Sequence, residues 1–140
     1  MVRGRATSRS DKDIYDNIRS VVDHGFKEIV LTGVNMGRYQ YQDVNFEGLV
    51  ENILNIDGDF RLRISSIEPD NFSDRFLRLF ENEKLAPHMH ICLQSGAENT
   101  LKAMRRHYTA AEFKNMCERI KTTIPVFNIT TDLIVGFPGE

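Results

Sequence analysis

The fold is decided by residues 91–98, which read Ile91-Cys92-Leu93-Gln94-Ser95-Gly96-Ala97-Glu98. An apolar segment typical of a strand runs into a polar turn containing Gly96, and the turn runs into the start of a helix near Glu98. In α/β folds this is where ligands bind, because the carboxyl end of the strand meets the free N–H groups of the helix. By itself the stretch fits a plain connection between a strand and a helix equally well.

The same order recurs along the chain. Short apolar segments predict strands near 28–32, 61–66, 88–93 and 127–135, and an amphipathic pattern predicts a helix before each of them. Ser10 and Thr109 are typical helix caps, and Thr109-Ala110-Ala111-Glu112 has the pattern of a capping box. Residues 38–45 are polar and aromatic, which predicts a loop. Strands that alternate with helices indicate a parallel sheet with right-handed crossovers.

Polar or glycine-containing clusters lie at the carboxyl ends of all four predicted strands. They are Gly33 with Asn35, Ser66 with Glu68, Gln94 with Ser95, and Asp132 with Gly136. The carboxyl ends of parallel strands open onto one face, and four such turns on one rim are the geometry of a (β/α) barrel active site. The sequence therefore predicts a ligand site on a partial (β/α) barrel of about four parallel strands.

Composition narrows the class of protein. The chain has 140 residues, of which 41% are hydrophobic and 27% charged, so it is long enough to bury one core. Its net charge of -2 excludes a global positive field. The longest apolar runs are too short to cross a membrane, and residues 1–5 are not those of a signal peptide, so we expect a cytoplasmic protein with no membrane partner.

Metal-ligand spacings are missing from the sequence. Cys92 and Cys117 match no metal or redox motif, and we expect both to be buried thiols. His88 and His90 share one face of a predicted strand, but no further ligand spacing supports a metal site.

Five motifs resemble those of the methylthiotransferases, within the radical S-adenosylmethionine core of that family. They are Leu31-Thr32-Gly33-Val34-Asn35, Ser65-Ser66-Ile67-Glu68-Pro69, Leu93-Gln94-Ser95-Gly96, Met104-Arg105-Arg106-His107-Tyr108-Thr109 and Thr131-Asp132-Leu133-Ile134-Val135-Gly136-Phe137-Pro138-Gly139-Glu140. The basic start around Arg3, Arg5 and Arg9 resembles the segment after that family's cluster-binding cysteines. The resemblance spans the whole chain. It is closest to the enzymes acting on threonylcarbamoyladenosine in tRNA, with the isopentenyladenosine and ribosomal-protein enzymes as alternatives.

The family's cluster loop, Cys-x-x-x-Cys-x-x-Cys, is not found in this sequence, and Cys92 and Cys117 do not replace it. The resemblance therefore implies a segment of a longer enzyme, without the amino-terminal cluster domain and the carboxyl-terminal RNA-binding domain. We expect that the 140 residues alone bind no [4Fe–4S] cluster and are inactive. The parent would use its clusters and a 5′-deoxyadenosyl radical to add a methylthio group to a tRNA adenosine next to the anticodon.

The resemblance also implies roles for individual residues. The methionine end of S-adenosylmethionine would lie by Gly33 and Asn35, and its amino and ribose groups would bond to Glu68, Gln94 and Ser95. Its adenine would lie against Asp132, Val135 and Gly136. The candidates for tRNA phosphates are Arg3, Arg5, Arg105 and Arg106.

Two other classes of function remain open from the residues. One is a complete small enzyme that uses Glu68 and Asp132 as acid and base. The other is a non-catalytic module whose basic ends contact RNA, although the net charge of -2 disfavours tight binding. A partial barrel also leaves sheet edges and apolar surface exposed, so we expect this chain to dimerise or swap strands.

Overall fold

The computed structural model describes residues 7–69 and 72–140. The α-helices are α1 (Asp11–Asp23), α2 (Phe46–Leu54), α3 (Asp74–Arg78), α4 (Glu98–Ala103) and α5 (Ala110–Thr123). The strands are β1 (Glu28–Leu31), β2 (Gln40–Tyr41), β3 (Val44–Asn45), β4 (Arg61–Ile64), β5 (Ser66–Ile67), β6 (His88–Ile91) and β7 (Asn128–Thr130). Short 3₁₀ helices lie at Met36–Arg38 and Leu79–Glu81. None of the helices in the described ranges is long and apolar enough to cross a membrane.

The predicted parallel strands are confirmed. Strand β1 pairs with β4, and β6 lies between β5 and β7, all in parallel. Strands β4 and β5 are consecutive pieces of one extended segment interrupted at Ser65, whose N–H still bonds to the Leu31 carbonyl at 3.0 Å. The spatial order is therefore β1, β4 with β5, β6 and β7, and the carboxyl ends of these strands share one edge.

The two faces of this sheet differ in chemistry because side chains alternate along each strand. Leu62 and Ile64 of β4 and Met89 and Ile91 of β6 are fully buried in the apolar core. That core also takes in side chains from α1, α2, α3 and α5, so these helices cover this face. The opposite face, called the open face below, carries polar residues of β1, β4, β6 and β7: Glu28, Arg63, His88, His90 and Thr130.

The helix caps follow the prediction. The Ser10 hydroxyl accepts from the Asp13 N–H at 3.1 Å, and Thr109 and Glu112 form a complete capping box. Both signals depend on neighbouring residues alone, which is why the sequence reveals them.

Two segments differ from their predictions. The predicted loop at 38–45 contains the antiparallel hairpin of β2 and β3, turned by Gln42 at φ 49°. The predicted strand at 127–135 is shorter, because regular pairing stops at Thr130 and only Leu133 forms a further isolated bridge, to Gln94.

Candidate functional site

The turn after β6 and the segment after β7 are held together by backbone hydrogen bonds. The Gln94 N–H donates to the Asp132 carbonyl at 3.0 Å, and the Ile134 N–H donates back to the Gln94 carbonyl at 2.8 Å. The Leu93 N–H donates to the Thr131 hydroxyl at 2.9 Å. The structure thus brings together two of the predicted clusters, those of Gln94 and Asp132, at the carboxyl edge of the sheet.

An ion pair occupies the neighbouring position on the same edge. The Arg106 Nη1 lies 3.0 Å from Oε1 of Glu68, the residue that follows β5. The two side chains are only 29% and 22% exposed, and Arg106 Nε is buried without a hydrogen-bond partner. Arg106 therefore belongs to the rim of the sheet, although the sequence grouped it with the RNA-phosphate candidates.

The chain reverses sharply after α4, and this reversal brings Arg106 to Glu68. Arg105 adopts a left-handed conformation at φ 57°. The Arg105 N–H bonds to the Lys102 carbonyl at 3.0 Å and the Arg106 N–H to the Leu101 carbonyl at 2.9 Å. These two bonds define a Schellman motif, in which the left-handed position is normally glycine. An arginine at that position gives no sequence signal for the turn.

Ser95 and Tyr108 stabilise the turn after β6 through hydrogen bonds to the backbone. Ser95 is buried, and its hydroxyl oxygen accepts from the Ala97 N–H at 3.2 Å just before α4. The buried Tyr108 donates its hydroxyl to the Leu93 carbonyl at 3.3 Å, and burial raises the pKa of that phenol. Both contacts fix the path of the backbone around Gln94.

The turn after β1 lies at the same edge, one strand further out. Asn35 has φ 54° and precedes the 3₁₀ helix that buries Met36. A Cβ on Gly33 would lie 2.9 Å from Met36 Cγ, so Met36 packing requires glycine there. Among the described contacts, no hydrogen bond joins this turn to the other three.

Unusual backbone conformations concentrate at this rim. Four non-glycine residues of the described chain have positive φ, and three of them, Asn35, Gln94 and Arg105, belong to turns at the rim. Such conformations cost about 1–3 kcal/mol each and are typical of functional sites. The remaining predicted residues here, Val135 and Gly136, are exposed to solvent.

The cysteines are half-buried, which corrects the prediction that both are buried. Burial raises the pKa of the Cys92 thiol and of the Cys117 thiol, so both stay protonated at neutral pH. Cys92 directly follows β6 and Cys117 lies on α5, and the described residues contain no group of three His, Cys, Asp or Glu placed to hold a metal ion. The whole sequence has two cysteines, so the donor set does not fit a cluster bound through three.

Two of the four candidate RNA contacts, Arg105 and Arg106, lie in the part of the chain that the structure describes. Arg3 and Arg5 lie outside the described residues. Arg105 is exposed, whereas Arg106 points its charge at Glu68. Of the two arginines after α4, only Arg105 keeps its charge directed to solvent.

A recess of about 370 Å³ lies elsewhere, between α2 and α3. The carboxylate of Glu47 on its wall accepts from the Ser73 N–H at 2.9 Å and from the Ser73 hydroxyl. Its acidic groups therefore anchor the start of α3, and the recess lies away from the rim that carries the predicted residues.

The Radical SAM superfamily model matches residues 1–140, and the chain belongs to this superfamily. Among solved structures it resembles the cobalamin-dependent S-adenosylmethionine radical enzyme OxsB, with a TM-score of 0.67 at 11% identity over 89% of this chain and 19% of that one. This likeness confirms the fold prediction of parallel strands with flanking helices.

The resemblance to methylthiotransferases is also confirmed. The tRNA-2-methylthio-N(6)-dimethylallyladenosine synthase of Endomicrobium trichonymphae is 39% identical over 99% of this chain and 34% of its own length. The threonylcarbamoyladenosine tRNA methylthiotransferase MtaB of Thermotoga maritima is 38% identical over 100% of this chain and 33% of its own. The MtaB of Bacillus subtilis is 39% identical over 99% and 32%. The chain therefore spans about a third of these relatives, and its identity to the two kinds of enzyme is nearly equal.

Proposed function

We propose that this chain forms the part of a radical methylthiotransferase that holds S-adenosylmethionine. The parent enzyme adds a methylthio group to a modified tRNA adenosine next to the anticodon. The observation that carries the proposal is the convergence of Glu68, Arg106, Gln94 and Asp132 on the carboxyl edge of the sheet. Support also comes from the relatives, which match over essentially the whole chain and are named for this reaction.

The rim offers groups of the right charge for the amino-acid end of S-adenosylmethionine. Glu68 and Arg106 present a carboxylate and a guanidinium side by side, which suits an ammonium and a carboxylate of a ligand. The guanidinium carries five N–H donors, and its contact with Glu68 Oε1 is made through Nη1. Gly33 and Asn35 would lie beside the methionine moiety.

The nucleoside end of the ligand suits the other half of the rim. The Gln94 side chain and the Ser95 O–H would bond to ribose hydroxyls, and Asp132, Val135 and Gly136 would line the adenine. The backbone bonds between Gln94 and Asp132 keep these two positions at a fixed separation. S-adenosylmethionine supplies the radical chemistry from which the superfamily takes its name, and the residues described here bind and orient it.

The [4Fe–4S] cluster of the family is not assigned to these residues, because two separated cysteines do not provide its ligands. We propose that the cluster cysteines, the second-cluster domain and the RNA-binding domain belong to other parts of a longer chain. The 140 residues alone are then inactive in methylthiolation. The tRNA phosphates would contact Arg105 and the amino-terminal Arg3 and Arg5, and a tRNA substrate implies a cytoplasmic protein.

The first experiment measures binding of S-adenosylmethionine to the 140-residue chain by ligand-observed NMR or calorimetry. We expect binding that weakens about tenfold or more in Gln94→Ala and in Glu68→Ala, because each loses a polar contact made in a partly buried site. Gln42→Ala is the matched control for Gln94→Ala, since Gln42 also sits in a turn at positive φ, away from the rim. Glu118→Ala is the control for Glu68→Ala, because the Glu118 side chain on α5 is 62% exposed. Equal affinities for all five proteins would refute the site.

The second experiment tests the reaction itself. The gene that encodes this chain is deleted in its source organism, and total tRNA is digested to nucleosides for mass spectrometry. We expect loss of one methylthio-modified adenosine together with accumulation of its unmethylthiolated precursor. Whether the precursor carries the threonylcarbamoyl or the isopentenyl group separates the two specificities. An unchanged nucleoside profile would contradict the proposed reaction.

A further inference from the structure

A chain of polar contacts runs along the open face of the sheet from β6 to the rim. Thr130 Oγ1 lies 3.0 Å from His88 Nε2 and 3.0 Å from His90 Nδ1. The other ring nitrogen of His90, Nε2, lies 3.3 Å from Asp132 Oδ2. The parallel register sets His90 directly opposite Thr130, so this geometry follows from the pairing of β6 with β7.

Only one arrangement of protons suits all three contacts when both rings are neutral. His90 Nε2 is buried, and its 3.3 Å approach to Asp132 Oδ2 is a charge contact without hydrogen-bond geometry. A lone pair on this nitrogen would face the carboxylate oxygen, so electrostatics favour the proton on Nε2. His90 Nδ1 then holds a lone pair and accepts the Thr130 O–H. The Thr130 oxygen in turn accepts from His88 Nε2–H, which leaves a lone pair on the buried His88 Nδ1.

The charge state of His88 agrees with this arrangement. Burial lowers the pKa of His88, and the neighbouring Arg63 and His90 lower it further. A neutral His88 leaves only an acceptor without a partner at Nδ1, which costs less than a buried N–H without one.

We propose that His90, held in its Nε2–H tautomer by Thr130 and His88, is a positioning residue that orients the Asp132 carboxylate toward the nucleoside of the bound ligand. The inference rests on the proposed function for its ligand, but the tautomer itself does not. Asp132 is 71% exposed, and its carboxylate approaches His90 Nε2 at 3.3 Å without a hydrogen bond, so attraction to the proton on Nε2 is what would orient it. An oriented carboxylate at the rim accepts hydrogen bonds from amino or hydroxyl groups of a nucleoside.

The tautomer is tested by ¹⁵N NMR of the imidazole rings in the 140-residue chain, since protonated and unprotonated ring nitrogens give well-separated signals. We expect the Nε2–H form for both His88 and His90. Thr130→Val removes the hydroxyl at nearly constant shape and should give a mixture of tautomers at His90. Thr130→Ser should restore the single form, which a loss of packing alone would not explain. An Nδ1–H tautomer of His90 in the unsubstituted chain would overturn the proposal.

The consequence for the ligand is tested by affinity for S-adenosylmethionine. Thr130→Val should weaken binding about three- to tenfold, the effect typical of one hydrogen bond, and Thr130→Ser should restore it. In an Asp132→Asn background, Thr130→Val should have no further effect, because both changes act through the same carboxylate. Thr122→Val is the control, since the Thr122 hydroxyl makes one helix-backbone bond, to the Arg119 carbonyl at 2.9 Å.

Two outcomes separate this inference from the proposed function. If the unsubstituted chain binds no S-adenosylmethionine, the proposed function fails, and the NMR result alone decides whether His90 is locked. If the chain binds but Thr130→Val and Asp132→Asn act additively, the positioning role is refuted and the proposed function stands.

Discussion

The ion pair between Glu68 and Arg106 should be worth more than an ordinary surface pair, and a double-mutant cycle measures its value. The cycle compares Glu68→Ala, Arg106→Ala and the double variant with the unsubstituted chain. Pairs between exposed side chains contribute about 0.2–1 kcal/mol, whereas removing one partner of a fully buried pair costs about 3–5 kcal/mol. The two side chains here are 22% and 29% exposed, so we expect a coupling above the range of exposed pairs, about 1.5 kcal/mol, and a larger cost for a single substitution that leaves one charge uncompensated.

The single variants should differ in a defined direction. Glu68→Ala leaves a guanidinium whose Nε is already buried without a partner, so the remaining charge is poorly solvated. Arg106→Ala removes that group together with its unsatisfied nitrogen and leaves a carboxylate that is 22% exposed. We therefore expect Glu68→Ala to lower the free energy of unfolding more than Arg106→Ala does.

Urea denaturation followed by circular dichroism gives the four free energies of unfolding. The control cycle uses Lys12 and Asp16, a 2.7 Å pair on α1 with side chains 81% and 49% exposed, where we expect a coupling clearly smaller than that of the rim pair. Raising the salt to about 1 M should reduce the control coupling more than that of the rim pair, because buried pairs are screened less. A rim coupling no larger than the control would refute the placement of Arg106 and return it to the candidates for RNA phosphates.

Four further outcomes follow from the structure. Arg105→Gly should stabilise the chain by about 0.5–1 kcal/mol, because glycine adopts φ 57° without strain, and destabilisation would contradict the Schellman turn. The same variant should bind RNA more weakly in a filter assay, with a smaller dependence on salt. The pKa of His88 is lowered in the folded chain, so the unfolded chain binds a proton at a higher pH than the folded chain does. The free energy of unfolding should therefore fall as the pH drops through about 6.5. In His88→Gln, urea denaturation should show a shallower fall. Reconstitution with iron and sulfide should give no visible cluster absorption, and a stoichiometric cluster would overturn the cysteine argument. Light scattering should detect dimers, because apolar side chains near the carboxyl end such as Leu133 and Val135 are 62% and 87% exposed; a monomer at high concentration would speak against this.

The order of helices and strands could be predicted because each signal is local. Ser10 and Thr109 lie next to the amides that they cap, and the apolar residues of β4 and β6 alternate or cluster within a few positions. The hairpin at Gln42 was missed because glutamine is rarely used at positive φ and no Asn-Gly or Asp-Gly pair marks the turn. Residues 131–135 looked like strand because they are rich in Leu, Ile and Val. They lack a regular partner because β6 has already ended and turned at Gln94.

The sequence predicts that the site lies at the carboxyl ends of the strands. It does not predict which side chains contact one another there. Glu68 and Arg106 are 38 positions apart, and the left-handed turn at Arg105 brings them together. Glycine is the usual residue in such a turn, so an arginine there does not reveal it. His88 and His90 were predicted to share a face, but their partner Thr130 depends on the register between β6 and β7. Register and side-chain reach are tertiary properties, and a single sequence does not encode them in any short pattern.

The attachment of residues 131–140 has a consequence for hydrogen exchange. Beyond Thr130 the segment is joined to β6 and its turn by the two backbone bonds at Gln94 and by the Thr131 hydroxyl. The amides of Gln94 and Ile134 belong to the same pair of backbone hydrogen bonds, so one local opening event exposes both to solvent. Their exchange rates should then move together when a ligand occupies the rim, and these two amides report occupancy of the site without a label on the ligand.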